Sequence, residues 1–182
     1  MANGALGFCL FDTAIGPCGI AWTADAIAAV QLPETTPAGT RERMLRYTGA
    51  APEAEPPPFV RAAVGRVQAL LEGARDDLRD LPLAWDALPQ FHRKVYEVTR
   101  AIPPGEVLTY GEVALRIGEP GAARAVGQAL GHNPFAPVVP CHRVLAAGGR
   151  SGGFSAEGGA VTKLRMLEIE RARLGGVPGL FD

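Results

Sequence analysis

No apolar run in this chain approaches the length needed to cross a membrane. The opening MANGALGFCLFDTAIG has no basic segment, and Asp12 interrupts its apolar residues, so it does not read as a secretory leader. Cysteine is scarce, with Cys9, Cys18 and Cys141 alone. An odd number of thiols cannot all pair within one chain, so free thiols in a reducing, cytoplasmic setting are expected. Neither a CxxC nor an HxxxH spacing occurs, which leaves zinc without its usual ligand pattern; no metal and no cofactor are expected. Excess charge of one sign is also lacking. Eighteen Lys and Arg stand against 19 Asp and Glu, for a net charge of −1. With no global basic field, any contact with nucleic acid has to use a local patch, a helix end or shape. What remains is a globular composition, 47% hydrophobic and 20% charged over 182 residues, enough for one domain or two small ones.

The first half reads as short strands. FCLF, CGIAW and IAAVQL are separated by turn residues around Gly16-Pro17 and Asp25, the pattern of a small meandering sheet. A short helix is expected from about Thr40. GAAPEAEPPP, residues 49–58, has the composition of an extended connector. Val60, Ala63, Val64, Val67 and Leu71 recur at helical spacing, with Gly73 near the stop. LRDLPLAWDALPQ, with Pro82 and Pro89, is expected to link residues 1–85 to a second domain over 86–182.

The second half reads differently. Phe91, Val95, Val98 and Ile102 form a helical stripe ended by Pro103-Pro104-Gly105. Thr109 and Glu112 have the spacing of a capping box, so a helix is expected to start at Thr109 and run through YGEVALRIG. After Glu119-Pro120-Gly121, a second helix is expected from about Ala122. Two short helices joined by a tight turn form a helix-turn-helix candidate. The second helix is nearly bald: Ala122, Ala123, Ala125, Gly127 and Ala129 leave Arg124 as its one charge. Such a surface suits tight packing on a neighbour, or close approach to a nucleic-acid backbone with the arginine inserted among bases. Gly148 to Gly159 is glycine-rich enough for a flap over a pocket. A last helix is expected from about Ala160. Its Leu164, Met166, Leu167 and Ile169 share no single face, which suggests burial on two sides.

VVPCHRV, residues 138–144, sets a thiol, an imidazole and a guanidinium side by side, and is expected to run strand, turn, strand. Neighbours on a strand point to opposite faces, so Cys141 and His142 meet only if a turn at Pro140 brings them together or a water bridges them. Lowering the thiol pKa by about two units would raise its thiolate fraction roughly thirtyfold at best, so positioning and leaving-group assistance must contribute too. On these residues alone, three readings stand: an alkyl acceptor acting on DNA, a cysteine hydrolase or redox thiol enzyme, and a DNA-binding module with Cys141 in its core.

PPGEVLTYGEVA, GAARAVGQALGHNPF, VVPCHRV and GGFSAEGGAVTKLRMLEIE together resemble the O6-alkylguanine-DNA alkyltransferase family over about residues 89–172. The resemblance implies a mixed α/β protein, with a small ribonuclease-H-like N-terminal domain followed by a winged helix-turn-helix-like one. It implies stoichiometric transfer of an alkyl group from O6-alkylguanine in double-stranded DNA, with O4-alkylthymine a further substrate, to Cys141, by a monomer. His142 would deprotonate Cys141 through a water, Glu170 would orient His142, and Tyr110 would protonate the departing guanine. Arg124 would fill the place of the extruded nucleotide. Ala123, Ala125, Gly127, Asn133 and Arg143 would lie at the DNA, and Asn133 would also brace the turn. Pro140, Phe154 and Ser155 would line the substrate pocket. Phe154 stands where some relatives carry tyrosine, and a sister class that lacks the cysteine only binds lesions.

Overall fold

The structure, a computed structural model, describes residues 4–49, 51–152 and 158–174. Strands β1 (Gly7–Phe11), β2 (Cys18–Trp22) and β3 (Ile27–Gln31) form an antiparallel sheet in chain order, as the short apolar runs separated by turn residues predict. Alternation sorts the two faces, except where a shift in the β2–β3 register at Ala21/Trp22 puts the adjacent Ala28 and Ala29 on the same side. Phe8, Ala21, Ala28 and Ala29 meet Met44 of helix α1 (Pro37–Thr48) on one side. Cys18, Ile20, Trp22, Ile27 and Val30 share a core with Val60, Ala63 and Val67 of helix α2 (Pro58–Leu70) on the other. Helix α1 starts earlier than expected because Thr36, not Thr40, is its cap: the Thr36 hydroxyl accepts from the Gly39 amide, and Pro37 supplies the fixed φ of a first turn. Thr40 is buried and donates to the Pro17 carbonyl.

Neither expected connector is loose. Residues 52–54 lie along β1, where Phe8 N–H donates to Pro52 O and Ala54 N–H to Phe8 O. Residues 78–85 are drawn in by Arg100. Its Nη2 donates to the carbonyls of Leu78, Arg79 and Leu81 at 2.9–3.0 Å, and its guanidinium lies 5.1 Å from the centre of the Trp85 ring. Leu78, Leu81 and Leu83 are buried as a result. One apolar cluster therefore runs from Phe11 and Ile20 through Tyr96 to Val126 and Met166.

Helix α3 (Gln90–Arg100) turns a slightly different face inward than its aliphatic stripe predicts. Val95, Tyr96 and Thr99 are buried, whereas Phe91 and Val98 are half-buried. The Tyr96 ring is tolerated there because its hydroxyl donates to Ala129 O at 2.8 Å. The short strand β4 (Leu108–Thr109) leads into helix α4 (Tyr110–Arg116), whose capping box is complete. Thr109 Oγ1 accepts from Glu112 N–H at 3.1 Å, and Glu112 Oε2 accepts from Thr109 N–H at 2.6 Å. A turn through residues 117–122 gives helix α5 (Ala123–Gly131), and α3, α4 and α5 pack on one another. The parallel pairing of β4 with β5 (Val144–Leu145) completes the helix-turn-helix half. Helix α6 (Ala160–Ile169) buries one face, not two: Lys163, Met166, Leu167 and Glu170, spaced i, i+3, i+4 and i+7, point inward, while Val161 and Leu164 are exposed.

Candidate functional site

Residues 138–140 are not the expected strand. Pro137 and Pro140 have no amide to donate to a ladder, and Asn133 Nδ2 takes the Val139 carbonyl at 2.8 Å. Asn133 Oδ1 also accepts from Phe135 N–H, so this one side chain braces both arms of the turn. Cys141, His142 and Arg143 then form a single 3-10 turn before β5. In that turn His142 and Arg143 both reach inward toward the end of α6.

Cys141 is 7% exposed, so the residue is nearly but not wholly enclosed. Burial pushes its thiol above the ordinary range; a hydrogen bond from the Asn133 side chain and the positive charge of Lys163 oppose that rise without cancelling it. His142 is fully buried, and its Nε2 lies 2.8 Å from Glu170 Oε1. Burial lowers the imidazole pKa, and Arg143 and Lys163 lower it further, against the pull of Glu170. The resting histidine is thus neutral and donates from Nε2, which leaves Nδ1 as the basic nitrogen. That Nδ1 is buried with no hydrogen-bond partner among the described residues.

Glu170 would have a raised pKa from burial alone, yet its carboxyl is held below the usual range by its contacts with His142 and Arg143. Since His142 is neutral, the permanently charged Arg143 is the cause we assign. Arg143, expected at the DNA, is instead 1% exposed. Its guanidinium is committed to Glu170 Oε2 (Nε, 2.9 Å), Glu170 Oε1 (Nη2, 2.7 Å) and Ile102 O (Nη1, 2.7 Å), which leaves it no surface for a phosphate.

Two residues with no expected role stand at the same place. Lys163 Nζ donates to Val144 O at 2.6 Å, lies 3.5 Å from the Tyr110 hydroxyl and 5.6 Å from that ring's centre. Burial brings its pKa down to about 8. Its position two helical turns before Glu170, on the same face, was the signal available in the sequence. Gly152 has φ +65°, and a Cβ there would fall 2.8 Å from the Tyr110 oxygen. Only glycine fits so close to that hydroxyl. Burial and the neighbouring Cys141 push the Tyr110 pKa up, so the phenol is a proton-bearing group at neutral pH.

Tyr110 also meets α5, for a Cβ on Gly127 would lie 3.7 Å from its ring. The small residues of α5 divide accordingly. Val126, Ala129 and Leu130 are buried, Ala123, Ala125 and Gly127 are half-buried, and Arg124 is exposed. Pro140 is buried beside Cys141. Phe154 and Ser155 lie outside the described residues. Among the described residues no three His, Cys, Asp or Glu side chains stand close enough to hold a metal ion, and no helix is long and apolar enough to cross a membrane.

Fold and site together define a helix-turn-helix protein with a buried cysteine and histidine on one turn and a glutamate from the end of α6 against that histidine. The family model for the DNA-binding domain of 6-O-methylguanine DNA methyltransferase matches residues 90–172. A methylated-DNA–protein-cysteine methyltransferase of Mycobacterium bovis is 36% identical over 172 residues, covering 94% of this chain and 96% of the relative. That of Methanothermobacter thermautotrophicus is 33% identical over 158 residues, covering 87% and 81%. Among solved structures, the Mycobacterium tuberculosis OGT in complex with DNA is similar with a TM-score of 0.72 and 34% identity, covering 91% of this chain and 92% of that one. The chain belongs to the methylated-DNA–protein-cysteine methyltransferase family.

Proposed function

We propose that this protein repairs double-stranded DNA by moving an alkyl group from O6 of guanine to Cys141 Sγ, once per molecule. The observation that carries this reading is the convergence of Cys141, His142, Tyr110 and Lys163 under a helix-turn-helix whose second helix exposes Arg124. The target oxygen is buried in a duplex, so the nucleotide must swing out, at a cost of a few kcal/mol. Arg124 takes the vacated place, and the half-buried alanines and Gly127 let α5 come close to the minor groove.

In the transfer step the Cys141 proton passes through a water to His142 Nδ1 while sulfur attacks the alkyl carbon. A C–S bond forms and the C–O bond breaks, and its electron pair goes to the guanine ring. Tyr110 supplies the ring's proton, so neutral guanine departs rather than an anion. The ammonium of Lys163 beside the hydroxyl stabilises the phenolate left behind. The product is a thioether, which water does not cleave, so no second turnover follows.

The supporting and reacting parts divide at about residue 85, with 1–85 as scaffold and 86–182 as the DNA-binding and transfer unit. In this reading the protein works as a cytoplasmic monomer. Incubation with a duplex containing O6-methylguanine should add the mass of one methyl group, carried on the peptide containing Cys141. Unchanged mass, or sustained turnover of substrate, would refute the reading.

The pH dependence has a definite shape. Transfer to free O6-benzylguanine should be fastest between about pH 6.5 and 8. His142 is pushed below its ordinary 6.5, so it is an acceptor throughout that window, and Lys163 loses its proton near 8. Cys141 remains a thiol across the whole window because its pKa is raised. A rate climbing tenfold per pH unit past pH 9 would instead indicate a free thiolate acting without His142.

A further inference from the structure

We propose that Arg143 is a positioning residue of the transfer site, clamping Glu170 so that His142 is held as the tautomer able to take the Cys141 proton. This rests on Cys141 being the alkyl acceptor. Two donors of one planar guanidinium meet the two oxygens of Glu170 at 2.9 and 2.7 Å, a fork that fixes the carboxylate plane as well as its charge. The third donor is anchored on Ile102 O at 2.7 Å, just beyond the end of α3, so the clamp does not swivel with its own turn. Oε1 is shared: it accepts from Arg143 Nη2 at 2.7 Å and from His142 Nε2 at 2.8 Å.

That sharing matters because Glu170 sits at the C-terminal end of α6, where unpaired carbonyls disfavour an anion. Without a cation the buried carboxyl would keep its proton. A protonated Glu170 would donate to His142 Nε2 and move the imidazole proton to Nδ1, the nitrogen that has to be empty for the transfer. The titratable and charged groups around the pair are Cys141 and Arg143 on the same turn, Lys163 and Glu170 from α6, and Tyr110 from α4. Of these only Arg143 touches Glu170 besides His142 among the described residues.

The test is a rate profile on free O6-benzylguanine for Arg143→Met, Arg143→Lys and Glu170→Gln, alone and combined. Arg143→Met should slow transfer about a hundredfold at pH 7, within the range of a lost proton-transfer arrangement. Its acid limb should move up by about one pH unit or more as Glu170 regains its proton. Lysine keeps the charge but not the fork, so Arg143→Lys should lose about tenfold with its acid limb in place. In a Glu170→Gln background neither change should cost more than about twofold, since the residue acts through Glu170. Arg143→Lys carries the test if the methionine variant fails to fold. Losses that are equal at every pH, or that multiply fully with Glu170→Gln, would overturn the proposal. Wild-type uptake of the benzyl group at Cys141, measured alongside, tests the underlying reading separately.

Discussion

Cys141→Ala is expected to accept no alkyl group at all while binding an O6-methylguanine duplex within about twofold of the parent. On the proposed mechanism the sulfur is the atom that makes the new bond, and no other thiol stands beside it among the described residues. The other two thiols are poor substitutes. Burial, with Glu55 and Glu53 nearby, pushes Cys9 up to about 11, and burial pushes Cys18 up to about 12 despite its contact with Thr13. Neither has the cation and amide donor that Cys141 finds in Lys163 and Asn133. Binding should survive because Arg124 and the small residues of α5 belong to another element, and cysteine to alanine removes one sulfur from a largely enclosed position. Intact mass after incubation measures the first half of the prediction, and a gel-shift or anisotropy titration the second. A methyl group found on the alanine variant would remove Cys141 from its role.

Arg124→Ala should slow repair in duplex DNA about a hundredfold while changing transfer to free O6-benzylguanine by less than about twofold. An extruded nucleotide leaves stacking and pairing unsatisfied at a cost of a few kcal/mol, and losing some 2–3 kcal/mol of compensation corresponds to that factor. Free base needs no extrusion, and Arg124 is exposed on α5 whereas Cys141 is buried. The two substrates thus separate an arginine that holds the helix open from one that merely touches a phosphate. A phosphate contact would weaken binding evenly across sequences and lower its salt dependence by about one unit of slope, with little change in the saturated rate. Equal losses on duplex and free base would argue against insertion.

Much of this was written in local pattern. The meander of β1 to β3 follows from short apolar runs broken by Gly16-Pro17 and Asp25, and the start of α4 from the Thr109–Glu112 pair. The bald α5 with its single arginine was legible too, because those signals depend on residues a few positions apart. Other features stayed hidden where a partner lay far along the chain. The segment 78–90 reads as a linker by its prolines, yet Arg100 and Trp85 hold its first residues against α3. Helix α6 reads as buried on two sides if only aliphatic residues are counted. Its true inner face includes Lys163 and Glu170, two charged residues that no hydrophobic pattern assigns to a core.

The sequence by itself determined that a cysteine, a histidine and an arginine stand side by side, that a helix-turn-helix candidate precedes them, and which family carries these motifs. Only the tertiary structure decided what each charge does. Arg143 and Glu170 are 27 residues apart, and Lys163 and Tyr110 are 53 apart. Whether a guanidinium meets a phosphate outside or a carboxylate inside depends on which partner compensates its loss of water. Local spacing carries no record of that choice, because it is made when distant elements close on one another and exclude solvent.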